Sequence, residues 1–388
     1  MKRYRLLVAL AALMLVIAAC TSDEGDTDTT EGATDTTAAA TDTTEAMTDT
    51  TEAMTDTTEA TGGGGDGAVL EDVMARGEVN CGTRDALPGF AVLTEEGEHV
   101  GFDSDFCRVI AAAVLGDAEA VNHVDLETAD RFTALQSGQI DVLVRNTTWT
   151  ASRDGSEGAT FLTTTYYDGQ GMMVASDSGF ESIEDMDGVI VCVAKGTTTE
   201  GNAATEATRL GLDWEVRPFD DTDLIQEAFL AGQCDGWSSD TSQLVGLRSV
   251  YPDGPDALTI LPEVFSKEPL GPAVRDGDTA WAQAVDWAVL ATIQAEEWGI
   301  TSANVDDFLT SDNPNIVKFL GGEFDDGEGN VTVLDPGLGL PTDFAYQVIS
   351  QVGNYGEIFE ANLAPLGLQR GVNALWNDGG LMYSPPYR

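Results

Sequence analysis

Two stretches of this chain nearly repeat each other, and such a repeat limits the folds that are open to it. They are ALQSGQIDVLVRNTT at residues 134–148 and AFLAGQCDGWSSDTS at residues 228–242. Each has the pattern of a helix end, a glycine and a strand, and the glycines are Gly138 and Gly232. Glycine just past a helix readily takes the left-handed cap conformation. The pattern indicates two copies of one helix–glycine–strand unit.

The repeat also aligns polar residues that follow the two strands. Asn146 matches Asp240, and Thr148 matches Ser242. In α/β sheets, ligands commonly bind just outside the carboxyl ends of strands. We therefore predict two similar α/β lobes with a ligand held between them. The alternative is a coincidental likeness between two units of a common type.

The N-terminus has the layout of a secretory signal peptide. Its first twenty residues, MKRYRLLVALAALMLVIAAC, combine a basic start, an apolar run and two alanines before Cys20. Small residues directly before a cysteine resemble a bacterial lipobox, in which the cysteine carries the lipid. We predict that residues 1–20 are a lipoprotein signal peptide. An ordinary signal peptide, or an anchor helix with an incidental cysteine, is the alternative.

Residues 21–67 are predicted to be a disordered, acidic, threonine-rich tether. The motif TDTTEA occurs three times in this segment, and four glycines follow at 62–65. A segment with almost nothing to bury does not form a packed core. Repulsion between its acidic residues extends it, and the glycines make it flexible near its end.

The globular part, about residues 68–388, is strongly acidic. Of the full formal charge of −49, this part holds 15 Lys and Arg against 54 Asp and Glu, a net −39. Such a surface argues against binding to nucleic acid and to anionic membranes. The length is sufficient for two lobes with their own cores.

Four cysteines follow Cys20 in a chain that we expect to be exported. An even number in an oxidising environment predicts two disulfides. Cys81 and Cys107 fall in the first lobe, and Cys192 and Cys234 fall in the second. Of the three possible pairings this favours the one within lobes, and four buried free thiols are the alternative. Without a CxxC motif or a histidine cluster, no metal site is expected.

Strand and helix patterns alternate along both lobes, which predicts parallel βαβ units. Asp103 and Ser104 are expected to cap the helix that follows the first strand. The first part of lobe one is predicted at 68–174, lobe two at 175–268, and a return to lobe one with a C-terminal extension at 269–388. Segments 167–175 and 268–275 are expected to supply two hinge strands.

Two polar segments follow strands and carry the chemistry of a ligand site. RNTTWTASR at 145–153 joins a helix start to an arginine, which suits a carboxylate. KGTTTE at 195–200 places hydroxyls and amides at the equivalent turn of lobe two. The alternative is that Arg153 is a solvated helix residue and Thr148 only a cap.

At this point the chain resembles a known family, the amino-acid-binding proteins of ABC importers, solute-binding protein family 3. It is most similar to the general L-amino-acid-binding subgroup of the Aap/Bzt type. The resemblance covers the globular part, in CGTRDALPGF (81–90), RFTALQSGQIDVLVRNTTWT (131–150), YYDGQGMMV (166–174), CVAKGTTTE (192–200), SKEPLGPAVRDGD (266–278), VGNYGEIFE (352–360) and GVNALWNDGGLMYSPPYR (371–388).

The resemblance implies an α/β, two-lobed type II periplasmic binding protein fold with two hinge strands, which closes on its ligand. It also implies a site for the ligand's α-carboxylate. Arg153 would bind that carboxylate together with Thr148, and Thr198 would donate to it from lobe two. Thr197 and Thr199 would flank Thr198.

The same resemblance assigns the other ligand groups. The main-chain carbonyl of Asn146 and the carboxylate of Asp240 would bind the α-ammonium, and Phe90 would line the apolar side of the cleft. Relatives usually carry an aromatic residue three positions before that phenylalanine, where this chain has Leu87. The side-chain selectivity therefore does not follow from the resemblance.

The predicted function is that of an extracytoplasmic binding protein, a monomer tethered to the membrane by lipid, which delivers L-amino acids to ABC permease subunits. No cofactor and no catalysis are expected. One alternative is an amino-acid-sensing receptor module, although no signalling domain follows the lobes. Another is a dehydratase on the same fold, which would need a general acid or base such as Glu200.

Overall fold

The computed structural model describes residues 66–387. The predicted signal peptide with Cys20, and the predicted tether up to residue 65, lie outside the described residues. Between residues 66 and 387, no helix is long and apolar enough to cross a membrane.

The helices alternate with strands through most of the chain and follow one another at its C-terminal end. In chain order they are α1 Ala68–Arg76, α2 Phe102–Leu115, α3 Arg131–Ser137, α4 Ala151–Ser156, α5 Thr198–Leu210, α6 Thr222–Leu230, α7 Thr241–Ser249, α8 Thr279–Glu297, α9 Val305–Phe308, α10 Pro314–Phe319, α11 Phe344–Gln351 and α12 Tyr355–Asn362. Short 3-10 turns lie at Ile183–Asp185, Pro255–Ala257, Ala364–Leu366, Gly371–Asn373 and Trp376–Asp378.

The strands are short, from two to six residues long. In chain order they are β1 Val79–Thr83, β2 Ala86–Leu87, β3 Ala91–Leu93, β4 His99–Val100, β5 Val121–Asp125, β6 Val142–Leu143, β7 Ala159–Phe161, β8 Tyr166–Asp168, β9 Gln170–Ala175, β10 Ile190–Ala194, β11 Glu215–Phe219, β12 Gly236–Asp240, β13 Leu258–Ile260, β14 Glu268–Leu270, β15 Ala273–Arg275, β16 Phe324–Asp325 and β17 Val331–Thr332.

Lobe one contains a five-stranded sheet in the order β5-β1-β6-β15-β7. β1 is parallel to both β5 and β6, so the strand order reverses direction at β1. Such a reversal opens a crevice at the carboxyl ends of the strands. Cys81 on β1 is bonded to Cys107 on α2, which is the first of the two disulfides predicted within lobes.

Lobe two repeats this topology in the order β11-β10-β12-β9-β13. β10 takes the place of β1 and is parallel to both β11 and β12. In each lobe, the next strand of the sheet is antiparallel, β15 in lobe one and β9 in lobe two. Cys192 on β10 is bonded to Cys234, just before β12, so the second predicted disulfide is also present.

Two short antiparallel strands, β8 and β14, connect the lobes, with Asp168 opposite Glu268 and Tyr166 opposite Leu270. The predicted hinge segments were too long, because β9 joins the sheet of lobe two and β15 joins that of lobe one. The sheet of lobe two therefore begins at Gln170, and the predicted boundary at residue 175 is late.

The start of α2 differs from the prediction. Its N-cap is Gly101 at φ 134°, where a Cβ atom would lie 2.2 Å from the carbonyl oxygen of Phe90. Asp103 and Ser104 lie inside the first turn and are not the cap. The carboxylate of Asp103 instead accepts the backbone N–H of Asn146 at 2.7 Å. This residue therefore connects α2 to the loop that follows β6.

Residues beyond β15 return to lobe one and cover it. α8 packs against α2, and α11 and α12 pack against both of these helices. We call residues 304–387, which follow α8 and its loop, the C-terminal extension. It contains the helices α11 and α12, which are separated at Gly353.

Candidate functional site

A cleft lies between the lobes, at the carboxyl ends of the central strands. Lobe one contributes the loop after β6 and the start of α4, and lobe two contributes the β10–α5 turn and the end of β12. The predicted ligand residues that line this cleft are Asn146, Thr148, Arg153, Thr197, Thr198, Thr199 and Asp240. The structure thus brings together seven of the eight residues that the sequence selected.

The eighth residue, Phe90, was wrongly predicted to line the cleft. Its ring is fully buried in the core of lobe one. It packs edge-on against Phe102 and Tyr166, with ring centroids 5.9 and 5.7 Å away. Its carbonyl also accepts the backbone N–H of Asp103 at the start of α2. These contacts direct the residue inward, so its role is packing.

Arg153 is held in place by its own loop. Thr150 caps α4 by accepting the backbone N–H of Arg153 at 3.2 Å, which fixes where the arginine leaves the helix. One guanidinium nitrogen donates to the carbonyl of Thr148 at 2.9 Å, and the group lies 5.6 Å from the ring centroid of Phe132. The side chain is buried, and within residues 66–387 its other guanidinium nitrogens donate no hydrogen bond.

Asn146 takes a conformation that L-residues rarely adopt, with φ at +29°. It is the only residue other than glycine with positive φ between residues 66 and 387. Conformations of this kind cost energy and persist where surrounding contacts enforce them. Here the enforcing contacts come from Asp103, which accepts its backbone N–H, and from Gln243 across the cleft, which accepts from its side chain at 3.0 Å.

The threonine turn of lobe two presents hydroxyls to the same space. Thr197 caps α5 by accepting the backbone N–H of Glu200 at 3.3 Å. Glu200 in turn accepts the backbone N–H of Gly196 at 2.9 Å, so its carboxylate is engaged by the helix start. Thr198 donates to Glu268 at 2.8 Å and lies 3.5 Å from the Thr148 hydroxyl.

Asp240 is the buried carboxylate of the cleft, and its Oδ1 atom has no hydrogen-bond partner within residues 66–387. Burial, followed by repulsion from Asp168 and Glu268, raises the pKa of Asp240 well above its ordinary 3.8. A buried carboxylate in such a position is stabilised by a cationic partner. The geometry fits a ligand ammonium group.

Three further arginines line the cleft, and the sequence reasoning assigned no role to them. They are Arg84, Arg131 and Arg145, all buried and all from lobe one. Arg145 donates to the carbonyl of Leu126 at 2.8 Å, and Arg131 donates to the carbonyl of Thr128 at 2.9 Å. Their position in the sequence could have identified them as candidates, because Arg84 follows β1 directly and Arg131 begins α3.

Within residues 66–387, carboxylates attract the four arginines of the cleft only from beyond ion-pair distance, as Asp103 attracts Arg84 and Arg145. None of them forms an ion pair within 4.0 Å among the described residues. Burial, followed by the guanidinium groups of Arg153 and Arg84, lowers the pKa of Arg131 to about 9. Buried charges in proteins are normally paired. A wall of unpaired buried cations is therefore suited to an anionic ligand.

The lobes touch directly across the cleft. Besides the contact from Asn146 to Gln243, Arg84 donates to Thr222 at 3.4 Å. The hydroxyls of Thr148 and Thr198 lie 3.5 Å apart. Each of these pairs joins a residue of lobe one to a residue of lobe two, so the cleft has a closed arrangement. In residues 66–387, no group of three or more His, Cys, Asp or Glu side chains is arranged to hold a metal ion.

Known proteins share both the sequence and the fold of this chain. The chain is 48% identical to the general L-amino acid-binding periplasmic protein AapJ of Rhizobium johnstonii, over 82% of this chain and 92% of that one. It is 45% identical to the glutamate/glutamine/aspartate/asparagine-binding protein BztA of Rhodobacter capsulatus, over 84% and 95%. Among solved structures, a periplasmic binding protein from Brucella ovis with glutathione bound superposes with a TM-score of 0.78 at 45% identity, covering 82% of this chain and 99% of that one.

Residues 79–303, which span both lobes, match the sequence model of one protein family. The match begins at β1 and ends just after α8, so it contains both halves of the cleft and both hinge strands. This chain belongs to the bacterial extracellular solute-binding proteins, family 3.

Proposed function

We propose that this protein is the substrate-binding component of an ABC importer for L-amino acids. One observation carries the proposal: within residues 66–387, four buried guanidinium groups with no carboxylate inside 4.0 Å face a buried carboxylate, Asp240, whose Oδ1 atom has no hydrogen-bond partner. A zwitterionic ligand supplies the opposite charge to both sides. The printed names of AapJ and BztA, which describe amino-acid-binding proteins, support the same function.

The α-carboxylate of an amino acid fits the cationic side of the cleft, and its α-ammonium fits the anionic side. We assign the α-carboxylate to Arg153, with the hydroxyls of Thr148 and Thr198 beside it. The α-ammonium is assigned to Asp240 and to the backbone carbonyl of Asn146. A guanidinium group binds a carboxylate through parallel hydrogen bonds, and an ammonium group needs acceptors and a counter-charge.

The other arginines indicate an acidic or strongly polar ligand side chain. One α-carboxylate neutralises one guanidinium, which leaves Arg84, Arg131 and Arg145 with no carboxylate within 4.0 Å among the described residues, although Asp103 attracts Arg84 and Arg145 from farther away. A second carboxylate on the ligand relieves that repulsion, whereas an apolar side chain leaves it in place. BztA is named for acidic amino acids and their amides, and glutathione in the Brucella protein carries two carboxylates. We therefore propose glutamate and aspartate as the preferred ligands.

Calorimetry with purified protein tests this ligand class. Glutamate, aspartate, glutamine, asparagine, leucine and arginine are titrated under one set of conditions, with glutathione as a further ligand. We expect the acidic ligands to bind tightest. Replacing Arg84 by Met removes one hydrogen-bonded charge worth about 1.5–3 kcal/mol, so glutamate should weaken roughly 10- to 150-fold and leucine little. Tighter binding of leucine or arginine than glutamate contradicts the proposal.

Delivery to a permease, the lipid anchor and the monomeric state are proposed with the same function. The lipobox-like sequence before Cys20 supports the anchor, and the relatives' description as periplasmic or extracellular supports the location. Mass spectrometry of the N-terminal peptide from membranes tests this. A diacylglyceryl group on Cys20, and release of a Cys20→Ala protein from the membrane, are expected. An unmodified Cys20 in the mature membrane-bound chain contradicts the anchor.

A further inference from the structure

The hinge strand β8 and the residue before it, Thr165, are attached to lobe one at three consecutive positions. The carbonyl of Thr165 accepts the hydroxyl of Tyr355 at 2.8 Å. The ring of Tyr166 packs between aromatic side chains of lobe one and of α12. At Tyr167, both backbone groups bind the side chain of Asn373, whose Oδ1 accepts the N–H at 2.7 Å and whose Nδ2 donates to the carbonyl at 3.0 Å.

One residue later, the attachment changes to lobe two. The carboxylate of Asp168 accepts the backbone N–H and the hydroxyl of Ser242 on α7. The carbonyl of Gly169 accepts the backbone N–H of Thr241 at 2.8 Å and its hydroxyl at 2.9 Å. Between Tyr167 and Asp168, therefore, the strand passes from one rigid body to the other within a single peptide unit.

The second hinge strand, β14, passes from lobe two to lobe one at the matching position. Glu268 accepts hydrogen bonds from Asn202 of lobe two at 2.8 Å and from Ser266 at 2.6 Å. The next residue, Pro269, belongs to lobe one, because its carbonyl accepts the backbone N–H of Trp149 at 2.8 Å. Since Pro269 lies opposite Tyr167, both changeovers fall on the same level of the two-stranded ribbon.

The pairing pattern explains why an asparagine side chain fits at Tyr167. In antiparallel pairs, residues alternate between positions bonded to the partner strand and positions whose backbone groups face away. Tyr167 and Pro269 form a pair of the second kind, and proline has no N–H to leave unpaired there. The side-chain amide of Asn373 supplies the acceptor and the donor that the partner strand does not offer to Tyr167. It thus binds the edge of β8 as a neighbouring strand would.

Asn373 is itself held firmly to lobe one. Its carbonyl accepts from Arg370 at 3.0 Å, and the guanidinium of Arg370 makes two 3.0 Å hydrogen bonds to Glu296 on α8. The same guanidinium lies 4.9 Å from the ring centroid of Tyr355 and 5.1 Å from that of Phe359. The C-terminal extension, which lies beyond the matched family region, thus provides a fixed support for the hinge.

We propose that Asn373 is a positioning residue for ligand capture. By fixing Tyr167 to lobe one, it confines the rotation of the lobes to the Tyr167–Asp168 and Glu268–Pro269 peptide units. The effect on ligand binding rests on the proposed function, whereas the confinement of the hinge does not. Releasing Tyr167 adds freedom to the open state that closure must then remove, so affinity falls although no ligand contact is lost.

The test compares Asn373→Ala with a matched variant, Asn362→Ala, in the full chain. Asn362 also lies in the extension and donates two hydrogen bonds, to Asp105 and to the carbonyl of Ile358, but it does not contact the hinge. Spin labels on cysteines at the exposed positions Glu95 and Glu184 report the distance between the lobes. Hydrogen exchange at the Tyr167 amide and glutamate affinity are measured on the same proteins.

We expect Asn373→Ala to broaden the distance distribution without ligand, to speed exchange at Tyr167 and to weaken glutamate roughly five-fold or more. Asn373→Asp keeps the acceptor but replaces the donor by a carboxylate oxygen that repels the carbonyl of Tyr167, so it should change in the same direction. Asn362→Ala should lower thermal stability only. The proposal is overturned if both Asn373 variants keep the wild-type distance distribution and Tyr167 exchange. If the distribution broadens in a protein that binds no amino acid, the hinge assignment stands and the proposed function fails.

Discussion

The two walls of the cleft come from the same type of βαβ unit but carry opposite chemistry. Lobe one contributes guanidinium groups, from Arg84, Arg131, Arg145 and Arg153. Lobe two contributes threonine hydroxyls at the start of α5 and the carboxylate of Asp240. The shared topology determines where the walls lie, because ligands bind where the strand order reverses. The individual side chains determine what each wall binds.

The two copies of the internal repeat carry the same residue type where its side chain accepts a backbone N–H. The carboxylate of Asp141 accepts the N–H of Asn80 at 2.7 Å, and that of Asp235 accepts the N–H of Ile190 at 2.8 Å. Both contacts join the residue before the middle strand of a sheet, β6 or β12, to the parallel strand beside it, β1 or β10. Each lobe thus uses an aspartate to fix the register of its sheet, and this role is independent of the ligand.

The repeat diverges where it reaches the ligand. Thr148 lines the cleft, whereas its counterpart Ser242 donates to Asp168 in the hinge. Asn146 and Asp240 both line the cleft, but one is neutral and the other carries a buried carboxylate. Two walls of unlike charge suit an asymmetric zwitterion. In the proposed binding mode, lobe one supplies the guanidinium groups for the anionic ends of the ligand, and lobe two supplies the carboxylate for the ammonium.

Removing the arginine at the centre of the lobe-one wall should have the largest effect. Truncating one member of a buried charge pair costs about 2–5 kcal/mol, so Arg153→Ala should weaken every amino acid roughly 30- to 4,000-fold. Arg217→Ala, at an exposed arginine of lobe two that pairs with Glu215, is the control for charge change. Calorimetry on both proteins checks this. Near-native affinity in the Arg153 variant contradicts the assignment of the α-carboxylate.

The lobe-two wall is tested by Asp240→Asn, which keeps the shape and removes the charge. Hydrogen bonds to charged groups are worth about 1.5–3 kcal/mol, so all α-amino acids should weaken by a similar factor of roughly 10–150. Glutarate, in which hydrogen replaces the amine of glutamate, should weaken little, if it binds measurably. A loss confined to one class of side chain places Asp240 beside the ligand side chain instead.

The same substitution should stabilise the ligand-free protein. The pKa of Asp240 is raised in the folded state, so its contribution to stability is full below pH 3.8 and is lost as the pH rises through the folded pKa. At neutral pH, Asp240→Asn should therefore be more stable than wild type by about 1–3 kcal/mol. The difference should shrink as the pH falls toward 4. Denaturant unfolding across this range measures it, and a less stable variant at pH 7 shows that the carboxylate is already paired.

A smaller loss is expected from the hydroxyl that lobe two offers beside the arginine. Thr198→Val removes a neutral hydroxyl that reaches the ligand only if its one proton turns from Glu268 to the carboxylate, so the loss is about 1 kcal/mol or less and binding should weaken up to roughly five-fold. The change also removes one of the hydrogen bonds to Glu268. Thr197→Val, which disrupts the cap of α5, is the comparison that reports indirect damage. A loss of affinity as large as that of Arg153→Ala contradicts the proposal that the charged partner of the α-carboxylate lies in lobe one.

Much of the fold could be predicted from the sequence because its signals are local. The cap glycines Gly138 and Gly232, the strand at Val79–Thr83 and the pairing of cysteines within lobes all follow from neighbouring residues and lobe position. The hinge strands were harder to delimit. Pairing over only three residues leaves no periodicity to read, and their ends depend on which sheet the next residues join.

The site was predictable where a polar run follows a strand, as at Asn146 and Thr198. Phe90 was misplaced because nothing local separates a phenylalanine in a core from one in a cleft, and here three-dimensional packing with Phe102 decides. Arg84 and Arg131 were missed for a related reason. A single arginine in sequence is usually exposed, and only their convergence in space makes them a cationic wall.

The smallest expected effect is on the association rate of the ligand. It depends on the difference in charge between this cationic wall and the outer surface. The globular part carries a net −39, which repels an anionic ligand on approach, whereas the arginines are buried within the cleft. Salt screens exposed charges strongly and buried charges much less, with a Debye length of about 30 Å at 0.01 M and about 8 Å at 0.15 M. The association rate of glutamate should therefore rise about two- to three-fold over this range, whereas that of neutral glutamine should hardly change. Stopped-flow fluorescence measures both rates. A glutamate rate that falls with added salt means that attraction by the arginine wall extends beyond the mouth of the cleft and outweighs the acidic surface.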